Sequence, residues 1–364
     1  MNLKRHLRAA VRAAVGERGR AFRRRASYAL GFRPRVNRAA AHSVHYPDRR
    51  RAALVISADL ELAWAWRYAR VADPLAFARQ RAQQGRRNLG VLLDLCDRYD
   101  LPVTWATVGH LFLNGCSRSG GRSHQEVPRV PYFENEYWVY QEGDWFDADP
   151  GSERAGEPDW PNWYGPDMIR SILDRRVRHE VGCHTFSHVV FSDEHCPAEV
   201  AAAELHLCQE LASRWGLTLR SFVFPGNLAG NYGSLRAAGF AAYRFPMDYD
   251  LDVPRRDHLG MWRIPGGICL DRPSRAWTAP WTATEQAKLV RKYVDAAVDC
   301  GLVGSLWFHP ETHSHDVDET FAEIFEYISA RRSDLWVTTM GGLADWLDSP
   351  EAWPMPASGP AALG

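Results

Sequence analysis

From about residue 53 the chain alternates short apolar runs with helix-length periodic segments. Apolar runs over 53–58, 103–108 (VTWATV), 180–184 (EVGCH), 221–225 (SFVFP), 305–309 (SLWFH) and 335–339 (LWVTT) read as buried strands. Periodic stretches near 75–98, 167–177, 198–215, 284–300 and 317–331 read as helices between them. Repeated β-α units of this kind predict an α/β fold with a parallel sheet, either open and doubly wound or closed into a barrel. Such folds build their active sites at the carboxyl ends of the strands. Asp59, Glu61, His184 and His309 all fall at such ends.

Between about 112 and 165 the alternation gives way to a Gly-, acid- and aromatic-rich insertion holding Phe133, Tyr137, Trp138, Trp145, Trp160, Trp163 and Tyr164. A stretch of that length without periodicity is unusual unless it is functional. Indole faces beside carboxylates suit sugar rings, whose C–H faces stack while their hydroxyls find acceptors. The plainer alternative is a lid whose tryptophans fill its own small core. At the N-terminus, Leu3, Leu7, Val11 and Val15 recur at four-residue spacing with Arg5, Arg8 and Arg12 on other faces. That pattern predicts a basic amphipathic helix, interrupted by Gly16 and Gly19. Through residues 1–40 it could rest on an anionic membrane surface; a solvated basic tail and an organellar transit peptide are the alternatives. The expected division is a basic N-terminal segment (1–51), a barrel (52–348) carrying the insertion, and a C-terminal tail (349–364).

With 364 residues, 46% of them hydrophobic, the chain can bury one large core with appendages. Its zero net charge hides an asymmetry: residues 1–51 hold 15 Lys/Arg against Glu17 and Asp48, leaving 29 basic and 42 acidic residues in the rest. An acidic body argues against a nucleic-acid partner. Seven scattered cysteines without a C-x-x-C pair point away from a disulfide framework or a thiolate zinc site and towards a reducing compartment. There is no apolar run of about 18 residues and no secretory core, so the expected location is cytoplasmic, with the basic segment able to reach the inner membrane face.

Four motifs carry candidate chemistry. In His184-Thr185-Phe186-Ser187-His188, two histidines four apart converge on one ion if the chain turns helically after the strand, although an isolated H-x-x-x-H is often two unrelated surface residues. Asp59 and Glu61 share one face of an extended chain and repel unless a cation or an arginine lies between them; a hydrated strand end paired with surface arginines is the alternative. His309, at the end of an apolar strand stopped by Pro310, is placed as a proton donor or a loop cap. The turn in Phe224-Pro225-Gly226-Asn227 has backbone N–H groups that could face an oxyanion, or is an ordinary turn.

The ordered set SADLE, HTFSH, FVFPGN and WFHP resembles the polysaccharide-deacetylase superfamily, carbohydrate esterase family 4 and its relatives with the NodB-homology domain, over about residues 53–345. The resemblance implies a distorted (β/α) barrel of about seven parallel strands and metal-dependent hydrolysis of N-acetyl, N-formyl or O-acetyl groups, usually on glycans. It implies His184 and His188 as metal ligands, Asp59 as base, His309 as proton donor to the leaving amine, and the Gly226 N–H as an oxyanion donor. The family's usual metal-binding second aspartate is replaced by Leu60, so Glu61 becomes the third ligand, with the roles of Asp59 and Glu61 open to exchange. The usual arginine of the proline motif is Val223, leaving Arg263 of Met261-Trp262-Arg263-Ile264-Pro265 as the candidate to orient the base.

Trp64, Pro225, Asn227, Trp163 and Tyr164 are the expected substrate contacts. Zinc is the first choice for the N₂O ligand set, with Co²⁺, Ni²⁺ and Mn²⁺ as alternatives. Asp-x-Glu-x-x-Trp (59–64) and Thr104 to His110 resemble a bacterial branch associated with surface-polysaccharide biosynthesis. The implied function is N-deacetylation or N-deformylation of an amino-sugar glycan or its precursor, with a carbohydrate as partner. Hydrolysis of a small non-glycan amide, or an inactive glycan-binding role, are the alternatives.

Overall fold

Strand β1 (Ala52–Leu60) is buried along its whole length, as a strand covered on both faces must be. The computed structural model describes residues 33–151, 159–271, 283–312 and 317–353. The amphipathic pattern of residues 3–15 lies outside them. After β1 come helix α1 (Pro74–Tyr99), β2 (Thr104–Thr107), the short strand pairs β3 (Arg118–Ser119) with β4 (Arg122–Ser123) and β5 (Phe133–Glu134) with β6 (Val139–Tyr140), then α2 (Trp160–Trp163) and α3 (Pro166–Leu173). Next are β7 (Glu180–Cys183), α4 (Ala198–Ser213), β8 (Ser221–Val223), α5 (Tyr232–Ala237), β9 (Ala242–Phe245), β10 (Arg255–Arg256), β11 (Trp262–Pro265) and β12 (Ile268–Cys269). The described chain ends with α6 (Ala283–Cys300), β13 (Val303–Phe308), α7 (Val317–Ala330), β14 (Leu335–Thr338) and α8 (Met340–Leu347).

The main sheet has ten strands in the order β10-β11-β9-β8-β7-β2-β1-β13-β12, with β14 also on β1. Its pairings are parallel except that of β10 with β11. One edge of β1 is shared, its first residues pairing with β14 and its last with β2. The fold is thus the expected distorted barrel, with more strands than the seven anticipated: β9 and β11, unread in the sequence, extend the sheet, and β10 and β12 are two residues each. Among the described residues, β11 and β13 share no ladder. A bridge of Asp252 to Val303 and the pairing of β12 with Leu306 and Trp307 join these two sides of the barrel. The approach is tight, because a Cβ on Gly267 (φ +61) would stand 1.9 Å from the Ser305 carbonyl oxygen.

Local chemistry sets the helix ends. Asp73 caps α1 by accepting from Ala76 N–H, Pro74 fills its first turn, and Asp100 ends it in the left-handed region. The boundary expected at residue 51 does not mark a detached segment. Val36 bridges Leu251, Asn37 donates to Asp252 at 2.8 Å, and Val44 and Tyr46 are buried in the core, so this part of the segment packs against the barrel. Likewise Ala352 is buried beneath His45, whose N–H donates to its carbonyl, and only residues 354–364 of the expected tail lie outside the described chain. Among the described residues no helix is long and apolar enough to cross a membrane.

Candidate metal centre and acid–base site

The residues at the end of β1 are held by a carboxylate. The backbone N–H groups of Glu61 and Leu62 both donate to Glu311 Oε1 at 2.9 Å. Burial, with the Glu61 charge beside it, pushes the Glu311 carboxyl up to about 8. Asp59 and Glu61 are each only 2% exposed.

Glu61 Oε1 lies 3.1 Å from His184 Nε2 and 3.1 Å from His188 Nε2. His184 Nδ1 donates to the Val223 carbonyl at 2.8 Å, which leaves its Nε2 lone pair facing the carboxylate. Burial pushes His188 below its ordinary range against the pull of Glu61. Burial works against the Glu61 charge, yet His309 and His188, with the His184 ring beside them, hold its carboxyl well below the usual range. Glu61 Oε2 is buried with no hydrogen-bond partner. An ionised carboxylate with an orphaned oxygen, facing two imidazole nitrogens, fits a divalent cation.

The histidine pair does not converge through a helix, as its spacing suggested. The chain leaves β7 in bends, with Thr185 (φ 60) and His188 (φ 58) in the left-handed region, a conformation that costs about 1–3 kcal/mol per residue. Neighbours hold it there: Gly109 and His110 N–H donate to Thr185 and Phe186 carbonyls, and Ser187 donates from N and Oγ to the buried Glu204 of α4 at 2.8 and 2.6 Å. Trp145 of the insertion adds an indole N–H to Ser187 Oγ.

Asp59 is oriented by a residue the sequence reading missed. Arg244 of β9 grips both its oxygens, at 2.7 and 2.6 Å, while donating to Ser57 Oγ and lying over the Trp307 ring. Arg263, expected in this role, instead stacks over Phe245, because its position in β11 directs the guanidinium to the next strand's aromatic. The missed signal was a lone arginine between the aromatics Tyr243 and Phe245 after Gly239, in a strand too short to show a period.

His309 follows β13 and has its own carboxylate. Asp271 accepts from its backbone N–H at 2.9 Å and meets its Nδ1 at 2.5 Å. Burial opposes the imidazolium, but Asp271, Glu61 and Asp59 outweigh it and raise His309 well above the ordinary histidine range. Its Nε2 stands 3.7 Å from Asp59 and 3.6 Å from Glu61. Asp271 was legible in principle, as the acid ending the apolar run Ile268-Cys269-Leu270.

Pro225, Gly226 and Asn227 form the turn after β8, with Gly226 (φ 61) beneath the indole of Trp138. A Cβ there would meet that ring at 2.3 Å. The same half-buried indole lies 5.7 Å from the His188 ring and is fixed by a bond from its Nε1 to the Ala65 carbonyl. Trp138 is therefore the insertion's aromatic at the centre. Trp64, Trp163 and Tyr164, expected to touch substrate, are almost fully buried. Trp64 donates to the Trp163 carbonyl and packs edge-on against its ring, while the Tyr164 hydroxyl donates to Asp149. They fasten the insertion to the main core of the barrel instead of facing a ligand or filling a separate core of the insertion.

Neither a protein-family model nor a curated protein sequence matches the chain. Solved structures do. A protein described as a polysaccharide deacetylase from Mycobacterium smegmatis shares 18% identity and a TM-score of 0.57 over 84% of this chain and 93% of its own. Another so described, from Pseudomonas aeruginosa PAO1, shares 15% identity and a TM-score of 0.58 over 83% and 92%. PuuE allantoinase shares 14% identity and a TM-score of 0.57 over 86% and 96%. At these identities the likeness establishes a common fold.

Proposed function

We propose that this chain, built on the polysaccharide-deacetylase fold, is a metal-dependent hydrolase that removes an N-acetyl or N-formyl group from an amino sugar in a glycan or glycan precursor. The observation that carries the reading is the convergence of Glu61, His184 and His188 on one point, with Asp59 and His309 beside it and each pinned by its own partner. Glu61, His184 and His188 would hold a divalent ion, zinc by preference, which when bound supplies a Lewis acid that acidifies water and polarises the acyl carbonyl.

Asp59 serves as the general base. The Arg244 clamp fixes the plane of its carboxylate, and the placing of Glu61 opposite two imidazoles supports Glu61 as ligand rather than base. His309 serves as the acid. With Asp271 on Nδ1, its Nε2 is the atom that delivers a proton to the departing amine. The Gly226 N–H supports the developing oxyanion, and the Trp138 face offers a sugar ring a stacking surface next to His188.

The allantoinase, whose TM-score matches that of the deacetylases, favours a second reading in which a small non-glycan amide is the substrate. Both are tested by one experiment: metal-reconstituted protein is incubated with N-acyl amino sugars and with small amides, and release of acetate, formate or the ring-opened product is followed. Metal-dependent release from the sugars, lost in Asp59→Asn and His184→Ala, is expected. A protein that binds no metal, and whose two variants bind glycan like wild type, overturns the hydrolase reading.

A further inference from the structure

A second cluster of metal-ligating side chains lies apart from this centre. His110 sits in the turn after β2, Cys116 and His124 flank the β3/β4 pair, and Asp149 follows β6. The two histidine Nε2 atoms are 3.0 Å apart, and Asp149 Oδ2 is 3.2 Å from the first and 3.4 Å from the second. Cys116 Sγ is 2.7 Å from the same oxygen. His110 and Asp149 are fully buried and His124 is 9% exposed.

We propose that His110, Cys116, His124 and Asp149 bind a second divalent ion of the structural zinc type, which fastens the insertion to the barrel. His110 and Asp149 each have their other polar atom engaged, leaving one atom of each for the centre, and Cys116 offers its single sulfur. His110 Nδ1 faces the Trp163 carbonyl at 3.2 Å, so that nitrogen carries the proton and Nε2 presents its lone pair. Asp149 Oδ1 accepts from the Tyr164 hydroxyl at 2.6 Å and from Gly151 N–H at 3.0 Å, leaving Oδ2. His124 turns Nδ1 towards Glu126, 3.6 Å away. Such outer partners are what orient ligands in metal sites.

Two imidazoles, a thiol and a carboxylate are the donors zinc takes in closed four-coordinate sites. With metal–nitrogen bonds of about 2.0–2.1 Å, neighbouring nitrogen donors of a tetrahedral site stand roughly 3.3 Å apart. The His110, His124 and Asp149 atoms already lie within a few tenths of an ångström of that. The Cys116–Asp149 pair is the one that opens when a cation replaces the thiol proton.

The need for a staple follows from the insertion itself. Its described strands are two residues long, so side-chain contacts rather than a sheet hold it, and a bound ion would add to them. Trp138 and Trp145, which reach Gly226, His188 and Ser187, lie in sequence between two of the ligands, His124 and Asp149.

The site stands whether or not the hydrolase reading does, and the test separates them. Full-length protein purified with zinc is expected to hold close to two equivalents by elemental analysis. The His184→Ala/His188→Ala double variant should keep one, and Cys116→Ser or Asp149→Asn should lose one. Reconstitution with Co²⁺ gives a sharper reading, because Cys116 is the only thiol among the residues proposed to hold metal, and a thiolate-to-cobalt charge-transfer band that disappears in Cys116→Ser reports on this site. That band is expected in wild type and in the double histidine variant, and is expected to be absent from Cys116→Ser. A double histidine variant that is folded, binds no metal and shows no thiolate band overturns the proposal, even if Cys116→Ser fails to fold.

Discussion

Arg244 and Asp59 meet as a buried bidentate pair, each side chain no more than 3% exposed, and this pair determines how the proposed base is presented. Lysine cannot reproduce a two-pronged grip. Arg244→Lys is therefore expected to lower acyl-release kcat roughly 10²-fold, at the lower end of what a positioned base contributes, with metal content unchanged. Arg244→Met, which strands a buried carboxylate, should cost about 3–5 kcal/mol in urea unfolding. Arg263→Ala should leave kcat within about threefold of wild type; a large loss there and none in Arg244→Lys would return the role to Arg263.

Asp271→Asn removes the strongest of the groups that raise His309. A general acid works only while protonated, so activity falls as pH rises through the His309 pKa. Removing Asp271 lowers that pKa. The alkaline limb of the kcat profile should move to lower pH, and kcat at its optimum should fall roughly 10-fold or more. An unmoved alkaline limb would exclude His309 as the acid.

Trp138→Ala should raise KM about tenfold on a sugar substrate, the equivalent of roughly 1.4 kcal/mol of lost stacking and burial, with metal content and kcat little changed. A small amide should show no such rise. The comparison of KM values on the two substrates thus also tests which reading of the substrate holds.

His179 allows a stability test remote from either candidate metal cluster. Its Nδ1 accepts from Val103 N–H at 3.2 Å, its Nε2 is buried without a partner, and burial lowers its pKa from 6.5 to about 4. The folded state thus favours the neutral ring. Its contribution is intact above pH 6.5 and is lost as pH falls through about 4. His179→Asn keeps an acceptor for Val103 and does not titrate. Relative to wild type, this variant should gain about 1–2 kcal/mol between pH 6.5 and 4, allowing for the ring's partial exposure. Parallel pH dependence in urea denaturation would refute the assignment.

The strands carrying Asp59, His184 and His309 were legible because each ends an apolar run in a titratable residue, a juxtaposition that burial alone does not explain. The partners were not. Arg244 sits in a four-residue strand with no period to detect, and Asp271 acts on a histidine 38 residues away through barrel closure. The bends at Thr185 and His188 were also hidden, since nothing local favours a left-handed threonine; Glu204 and the backbone of Gly109 and His110 impose it from elsewhere in the fold. For the buried tryptophans of the insertion, composition was consistent with both a ligand surface and a core. Only packing separates Trp138 from Trp163.

Among the described residues, the side of the barrel between β11 and β13 is laddered by a single bridge and a two-residue strand, with Gly267 pressed against the Ser305 carbonyl. Asp271 lies two residues beyond that strand, so the group that most raises the proton affinity of His309 hangs from a sparsely laddered joint among the described residues. The proposed ligands Glu61, His184 and His188 lie beside the well-paired β1 and β7 instead. Mechanical loosening of this joint would consequently weaken the proposed acid before it disturbed the proposed metal ligands. In this architecture, the strength of the proposed proton donor is a measure of how firmly the wall is shut.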